Sequence, residues 1–458
     1  MEFPQTEYAN YLFRKALVIN ILIFLLVVLK VYAESYAIIG GIIIVGYIFL
    51  KGLSNPWEAL FLFLGIKFTF DGLWDVKKFE LVGNMSIGLL ELMILPVLIW
   101  SLFGTKLKSS IPKWPIGLLI VYLVWIFFAM AINDESALDF NLFIRQSCLL
   151  LGLILGLKYI ETIEALQTVF YLVFISTIIP VLVAFLQIIL GPSIDLPFTH
   201  VTLDPTRGER IAGIYYDAAT MGMVVIISLI TNMYMLHSNV AKRKLLVLHY
   251  MFIPVSLYVA IAGGTRSIIV ISLAATVVFI ITNIKKSLFL LPFLLVAIFF
   301  SQPYIHQVIT KSTKEGVTNV RTINIIDETE NKYMFSGRVG VWQEVWYRYK
   351  SATPMQQIFG TGLSSNAHSS YFFLLLQIGA LGLLLYLFYH FLIIKYLLKM
   401  NRSTPTLIIA LGALFSNLLM GISASTVNYT SFQIATSFII GSVLALSFVS
   451  NSEDEYSE

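Results

Sequence analysis

The sequence predicts an all-α polytopic membrane protein, with about fourteen transmembrane helices and one large outer loop that carries an interfacial helix. Three observations predict it. Hydrophobic residues make up 58% of the chain and charged residues 12%, half the share usual in soluble domains, so no single soluble core could bury the apolar surface. Apolar runs of near-spanning length recur along the chain. Along nearly the whole chain the short loops between them are alternately basic and free of basic residues, the pattern of a chain threaded back and forth through a membrane.

Taken in order, the runs cover 16–33, 36–50, 57–70, 85–103, 115–132, 140–157, 166–190, 211–236, 247–263, 267–283, 287–301, 370–394, 405–422 and 431–449. Those at 36–50 and 57–70 are short, fit for little tilt or for re-entry. The loops "GTKLKSSIPKW", "HSNVAKRK", "NIKKS" and "KYLLKMNR" fall on one side, and "NDESALD" and "ISASTVNYT" on the other. The basic side is cytoplasmic, and both termini lie there. The first run lacks a small-residue cleavage site, so a retained span is expected rather than a signal peptide. The acidic tail "NSEDEYSE" reads as a solvated end. Cys148, the single cysteine, lies within an apolar run, where it reads as a small buried side chain and excludes an intramolecular disulfide. Residues 1–458 read as one transmembrane domain, without an internal repeat of the inverted-repeat transporter kind.

One connection, 302–369, is far longer than the others and falls on the outer face, and loops of that length are usually functional. Within it "RVGVWQEVWYRYK" puts Arg338, Trp342, Val345, Trp346 and Tyr349 on one helical face, with Glu344 and Arg348 as an i,i+4 pair on another. Two readings stay open: an interfacial helix with an aromatic belt, or a lid over a cavity in the membrane domain.

Charges near hydrocarbon point to function, because they are costly unless paired. Arg266 lies in "GGTRSI", a minimal outer turn, where it either caps helix carbonyls or binds an anion. "RGERIAGIYYDAATMG" is expected to bring Arg207 and Arg210 to the outer start of a helix, with Asp217 two turns further in, where it could neutralise Arg210. Arg210, Arg266, Arg338 and His368 share the outer face, as a site for a strongly anionic ligand would require, and guanidinium suits phosphate through its bidentate fork. His368, in "SSNAHSSYFF", reads either as a polar anchor or as a general base at the mouth of that site. Lys67, Glu91 and Arg145 are intramembrane, the first two as a structural pair. No metal-ligand spacing, phosphate-binding Gly-rich loop or Gly-x-Ser-x-Gly elbow is present, and "GTG" at 360–362 reads as a turn.

The order "RIAGIYYDAATMG", "GGTRSIIVISLAA", a long outer loop with "SGRVGVW" and "IFGTGL", then "AHSSYFFLLLQIGALGLLLY" resembles the O-antigen polymerase/ligase superfamily over roughly residues 207–390. The resemblance implies a metal-independent, inverting glycosyltransferase of the bacterial inner membrane. It would take glycan from undecaprenyl diphosphate on the periplasmic side, without a cofactor. It further implies that Arg210 and Arg266 hold the diphosphate and that His368 deprotonates the acceptor, with Arg338 a third arginine. Arg207 and Asp217 join Arg338 as substrate-binding candidates. Asp217-Ala218 depart from the Pro-Asn-like pair of many relatives, which leaves the role of Asp217 open. The implied partners are the lipid-linked oligosaccharide, membrane lipids and a chain-length regulator, with no nucleic acid. A polymerase extends a lipid-linked repeat unit, a ligase loads lipid A–core, and a lipid-linked sugar flippase is the reading from another class. A count of about fourteen spans, larger than in the ligase relatives, favours the polymerase.

Overall fold

The computed structural model of the chain describes residues 6–73, 79–82, 85–87, 113–132, 136–160, 162–191, 196–204, 208–238, 246–263, 265–283, 338–362, 368–399, 404–424 and 426–455, with isolated positions between 288 and 299. Among these are fourteen helices. They are α1 (Thr6–Tyr32), α2 (Glu34–Ser54), α3 (Pro56–Phe70), α4 (Trp114–Ile132), α5 (Ser136–Tyr159), α6 (Ile163–Leu190), α7 (Ala218–His237), α8 (Leu246–Ala262) and α9 (Arg266–Thr282). After these come α10 (Arg338–Ser351), α11 (Pro354–Phe359), α12 (Ser370–Lys399), α13 (Thr404–Ser423) and α14 (Thr430–Glu455). Two 3-10 turns, Asp71–Leu73 and Thr426–Asn428, and two small antiparallel hairpins complete the described inventory: β1 (Phe79–Val82) with β2 (Met85–Ile87), and β3 (His200–Asp204) with β4 (Gly208–Gly213).

Among the described residues, stretches of six helices (α1, α2, α5, α6, α7 and α12) are long and apolar enough to cross a membrane. The outward faces are apolar as well: Leu25, Ile43, Phe127, Val270, Leu384 and Phe391 are all well exposed. Exposed apolar surface on this scale is expected of a lipid-facing bundle, not of a soluble monomer. Twelve of the helices match apolar runs of the sequence, whereas α10 and α11 belong to the long loop. The run at 85–103 opens with β2 and lies otherwise outside the described residues, as do most of 287–301 and all of 302–337.

The run at 57–70 is helical throughout. It forms α3, buried on every side from Glu58 to Phe70, as an evenly apolar helix must be. Its cation Lys67 pairs with Asp71 at 2.6 Å, one turn along. This pair is local, since i and i+4 share a helix face; Glu91, the partner expected from the sequence, lies outside the described residues. The closest helix pairing joins α5 to α14. Gly152 and Gly156 of α5 form a Gly-x-x-x-Gly step, and a Cβ at Gly156 would lie 2.5 Å from the Phe438 carbonyl oxygen. Small residues let two backbones meet where lipid supplies no hydrophobic drive.

Of the long loop's helix, Val345 is buried and Trp342 stacks on Phe372 of α12 (5.6 Å between centroids, 19° between planes). Trp346, placed on the same face by the sequence, is exposed, stacked on Tyr349 with Lys350 over its ring. The Glu344–Arg348 pair forms as expected, at 2.5 Å and in solvent. Beyond α11, Thr361 N–H donates to Leu376 O at 2.7 Å, and α12 is broken at Gly379 (φ 75°, ψ −179°).

Candidate functional site

One end of the bundle gathers the chemistry. There α3 and α8 end, α5, α7, α9, α12 and α14 begin, and side chains tie these ends together.

Arg210 is not at a helix start. It lies on β4, opposite Thr202 on β3, and α7 begins only at Ala218. The stretch "GERIAG" is apolar enough to pass for the outer turn of a helix, but a glycine at each end and the pairing with 200–204 make it a strand. From there Arg210 Nε donates to the Gly263 carbonyl at 3.3 Å, and its Nη2 to Thr265 Oγ1. Thr265 is the N-cap residue of α9, yet its side chain makes no capping bond. The hydroxyl that would close the helix start holds a guanidinium instead. Arg266 is the first residue of α9, half-buried beside Thr265. The structure thus brings Arg210 against the turn that carries Arg266.

Asp217 shows the same diversion at the start of α7. It is the N-cap residue, not a residue two turns inside, and its carboxylate makes no capping bond. Oδ2 accepts from the Tyr429 hydroxyl at 2.7 Å. Burial first, and the Asp217 carboxylate second, raise the Tyr429 phenol well above its usual range, so it stays protonated and donates. Around this bond lies a cavity of about 270 Å³, lined among others by Phe68, Asp71, Arg145, Tyr216, Asn428 and Phe432. Arg145 Nη1 donates to Asn428 Oδ1 at 3.1 Å, and Asp71 accepts from Lys67 on one oxygen and from Ser431 on the other. The α5–α14 pairing sets this wall, since Arg145 precedes the Gly-x-x-x-Gly step and Tyr429 precedes α14.

His368 stands at the head of α12, exposed, with φ 47°. A non-glycine residue in the left-handed region is uncommon and strained. The two serines after it are held in place: Ser369 Oγ donates to Gly421 O at 3.2 Å, while Ser370 Oγ lies 3.2 Å from Ala424 O and 3.0 Å from Thr426 Oγ1. The short Thr426–Asn428 turn therefore links the histidine segment to the Arg145 cavity. The backbone of Arg338 opens α10; Arg207 lies outside the described residues. Among the described residues no group of three or more His, Cys, Asp or Glu is arranged to hold a metal ion.

Sequence reasoning flags Arg145 as an intramembrane charge but misses Asp71, Tyr216 and Tyr429, whose meeting depends on contacts across up to 360 residues. The available signal is the Gly-x-x-x-Gly step, which pairs α5 with a partner and so fixes what faces Arg145. Comparison of the chain with models of known protein families gives no match, and comparison with curated proteins gives none.

Proposed function

We propose that the protein is an integral-membrane glycosyltransferase: a polymerase that transfers glycan from undecaprenyl diphosphate to a lipid-linked repeat unit of a surface polysaccharide. The observation that carries the reading is the convergence at the start of α9. Arg210 is hydrogen-bonded to the N-cap of the helix whose first residue is Arg266. Two guanidinium groups and the positive end of a helix dipole have the same sign, an arrangement that favours an anion such as diphosphate. In this reading the end that holds the site faces the periplasm, both termini are cytoplasmic, and the chain crosses the inner membrane about fourteen times.

The chemistry is a single displacement. The acceptor hydroxyl oxygen attacks the anomeric carbon, and the bond from that carbon to the phosphate oxygen breaks, its electrons leaving with the diphosphate. Arg210 and Arg266, joined by Arg338, meet the growing charge with N–H donors. His368 takes the proton of the attacking hydroxyl on its imidazole. Attack opposite the leaving group inverts the anomeric centre. The scheme calls on no metal and no cofactor.

The test is paired, on purified His368→Asn. Asparagine tolerates the left-handed backbone, whereas alanine adds strain there, so this variant isolates the proton acceptor. Transfer should fall about 10²–10⁴-fold with undecaprenyl diphosphate binding kept. Retained transfer would sink the base assignment. In cells, a deletion that leaves single repeats attached in place of long chains supports a polymerase. Bare core with stored lipid-linked polymer would make the protein a ligase, and absence of any periplasmic donor a flippase.

A further inference from the structure

The cavity beside Asp217 differs in kind from the arginine turn. Its charged lining is Arg145, bonded to Asn428, with two carboxylates: Asp71, which pairs with Lys67, and Asp217, bonded to Tyr429. Two carboxylates set against one arginine and one lysine give no excess positive charge, so a phosphate gains little there. The lining is also aromatic, with Phe68, Phe432, Tyr429 and Tyr216. Tyr216 is 72% exposed, its ring 5.9 Å from that of His200 across the hairpin. A ligand that fits must be neutral, rich in hydroxyls and faced with C–H groups. Sugar hydroxyls donate to carboxylates and accept from arginine, and charge-assisted bonds of this kind are the strong ones. The C–H face of a pyranose ring lies flat on an aromatic ring, the use to which exposed tyrosines are put at binding surfaces. A volume of about 270 Å³ holds one or two sugar rings, not a long glycan.

Position supports the same occupant. Tyr216 and Asp217 come after β4, which carries Arg210, and Asn428 belongs to the turn that bonds to Ser370, two residues after His368. The cavity is thus wired to the candidate diphosphate site on one side and to the candidate base on the other.

We infer that this cavity is the acceptor pocket, seating the terminal sugar of the acceptor glycan so that its hydroxyl faces the donor; the inference rests on the transferase reading above.

Two probes separate the inference from that reading. One is the repeat-unit oligosaccharide of the host's surface polysaccharide, freed from lipid; the other is undecaprenyl diphosphate alone. Each is titrated calorimetrically into wild type, Tyr216→Ala and Asp217→Asn in lipid nanodiscs. Tyr216→Ala removes an exposed ring, and Asp217→Asn keeps a side-chain oxygen to accept from the Tyr429 hydroxyl, so both should unfold near the wild-type temperature. Oligosaccharide affinity is expected to fall about tenfold or more in each, the scale of one lost charge-assisted or stacking contact, with undecaprenyl diphosphate affinity unchanged. Unchanged oligosaccharide affinity in either variant overturns the acceptor pocket and leaves the transferase reading standing. So does a wild type that binds undecaprenyl diphosphate but not the oligosaccharide. A wild type that binds neither probe overturns the transferase reading, and the pocket with it.

Discussion

The starts of α7 and α9 are built alike and charged differently. Each has a residue type suited to capping, Asp217 and Thr265, and in each that side chain abandons the helix to hold a neighbour. Forgoing a cap costs roughly 0.5–2 kcal/mol, so the bond made to the neighbour has to offset that loss. At α7 the diverted group is an anion, which suits the positive end of a helix dipole, and it grips a phenol. At α9 the diverted group is a neutral hydroxyl, and what it grips is a cation next to another cation. The first arrangement is electrostatically closed. The second brings two arginines to one helix start. The same backbone device thus serves the candidate acceptor pocket in one place and the candidate diphosphate site in the other.

That contrast can be broken most directly at Arg266. Arg266→Ala should abolish glycan transfer, about 10²-fold or more, while the protein still accumulates in the membrane. Arg266→Lys should remain severely impaired, because an ammonium lacks the bidentate fork. Full transfer by the alanine variant, in a membrane-vesicle assay, would return Arg266 to a capping role.

The next largest effect belongs to the closed side. Lys67→Met leaves Asp71 buried without its cation, and breaking a buried pair typically costs about 3–5 kcal/mol. Thermal unfolding in detergent should fall markedly for this variant and recover in Lys67→Met/Asp71→Asn. Equal destabilisation in the single and double variants would mean that the pair contributes packing only.

Thr265→Val tests the diversion itself. The helix loses no capping bond, since none is made, but Arg210 loses a partner. A hydrogen bond to a charged group is worth about 1.5–3 kcal/mol, so undecaprenyl diphosphate affinity should drop about tenfold with the unfolding temperature little changed. A stability loss with intact affinity would show that the hydroxyl serves the helix after all. Smallest of all, Glu344→Ala should shift stability by no more than about 0.5 kcal/mol, since an exposed i,i+4 pair is worth little. It serves as the baseline for removing a charge remote from both helix starts.

The apolar runs are legible because spanning helices need many consecutive apolar residues, and twelve of the runs are helices. The run at 211–236 is legible only in part. A hydropathy window adds up side chains and is blind to backbone, so it merges the strand 208–213 with the helix that starts at Ala218. Lys67 is visible as a costly charge, but hydropathy points to Glu91 in the next apolar run for its partner, whereas Asp71 lies one turn away. Arg210 and Arg266 are both expected at the outer end; that Thr265 joins them is not, because a threonine before a helix reads as a cap. The Arg145 cavity is out of reach for a different reason: residues 71, 145, 217 and 429 carry no shared local pattern, and only packing brings them together.

The break in α12 has a mechanical side. Backbone N–H groups of Thr361 and Gly362 reach the Leu376 and Gln377 carbonyls, Trp125 Nε1 holds the Ile378 carbonyl, and a methyl at Gly360 or Gly379 would overlap backbone atoms of the opposite segment. The long rod is therefore two shorter rods clasped at a joint, with 370–378 as the outer one. Trp342 on Phe372 and Phe359 on Trp125 fasten the flap formed by α10 and α11 to the same joint. The segment 370–378 thus joins the packing of α10 and α11 to Ser369 and Ser370, the two residues that follow His368.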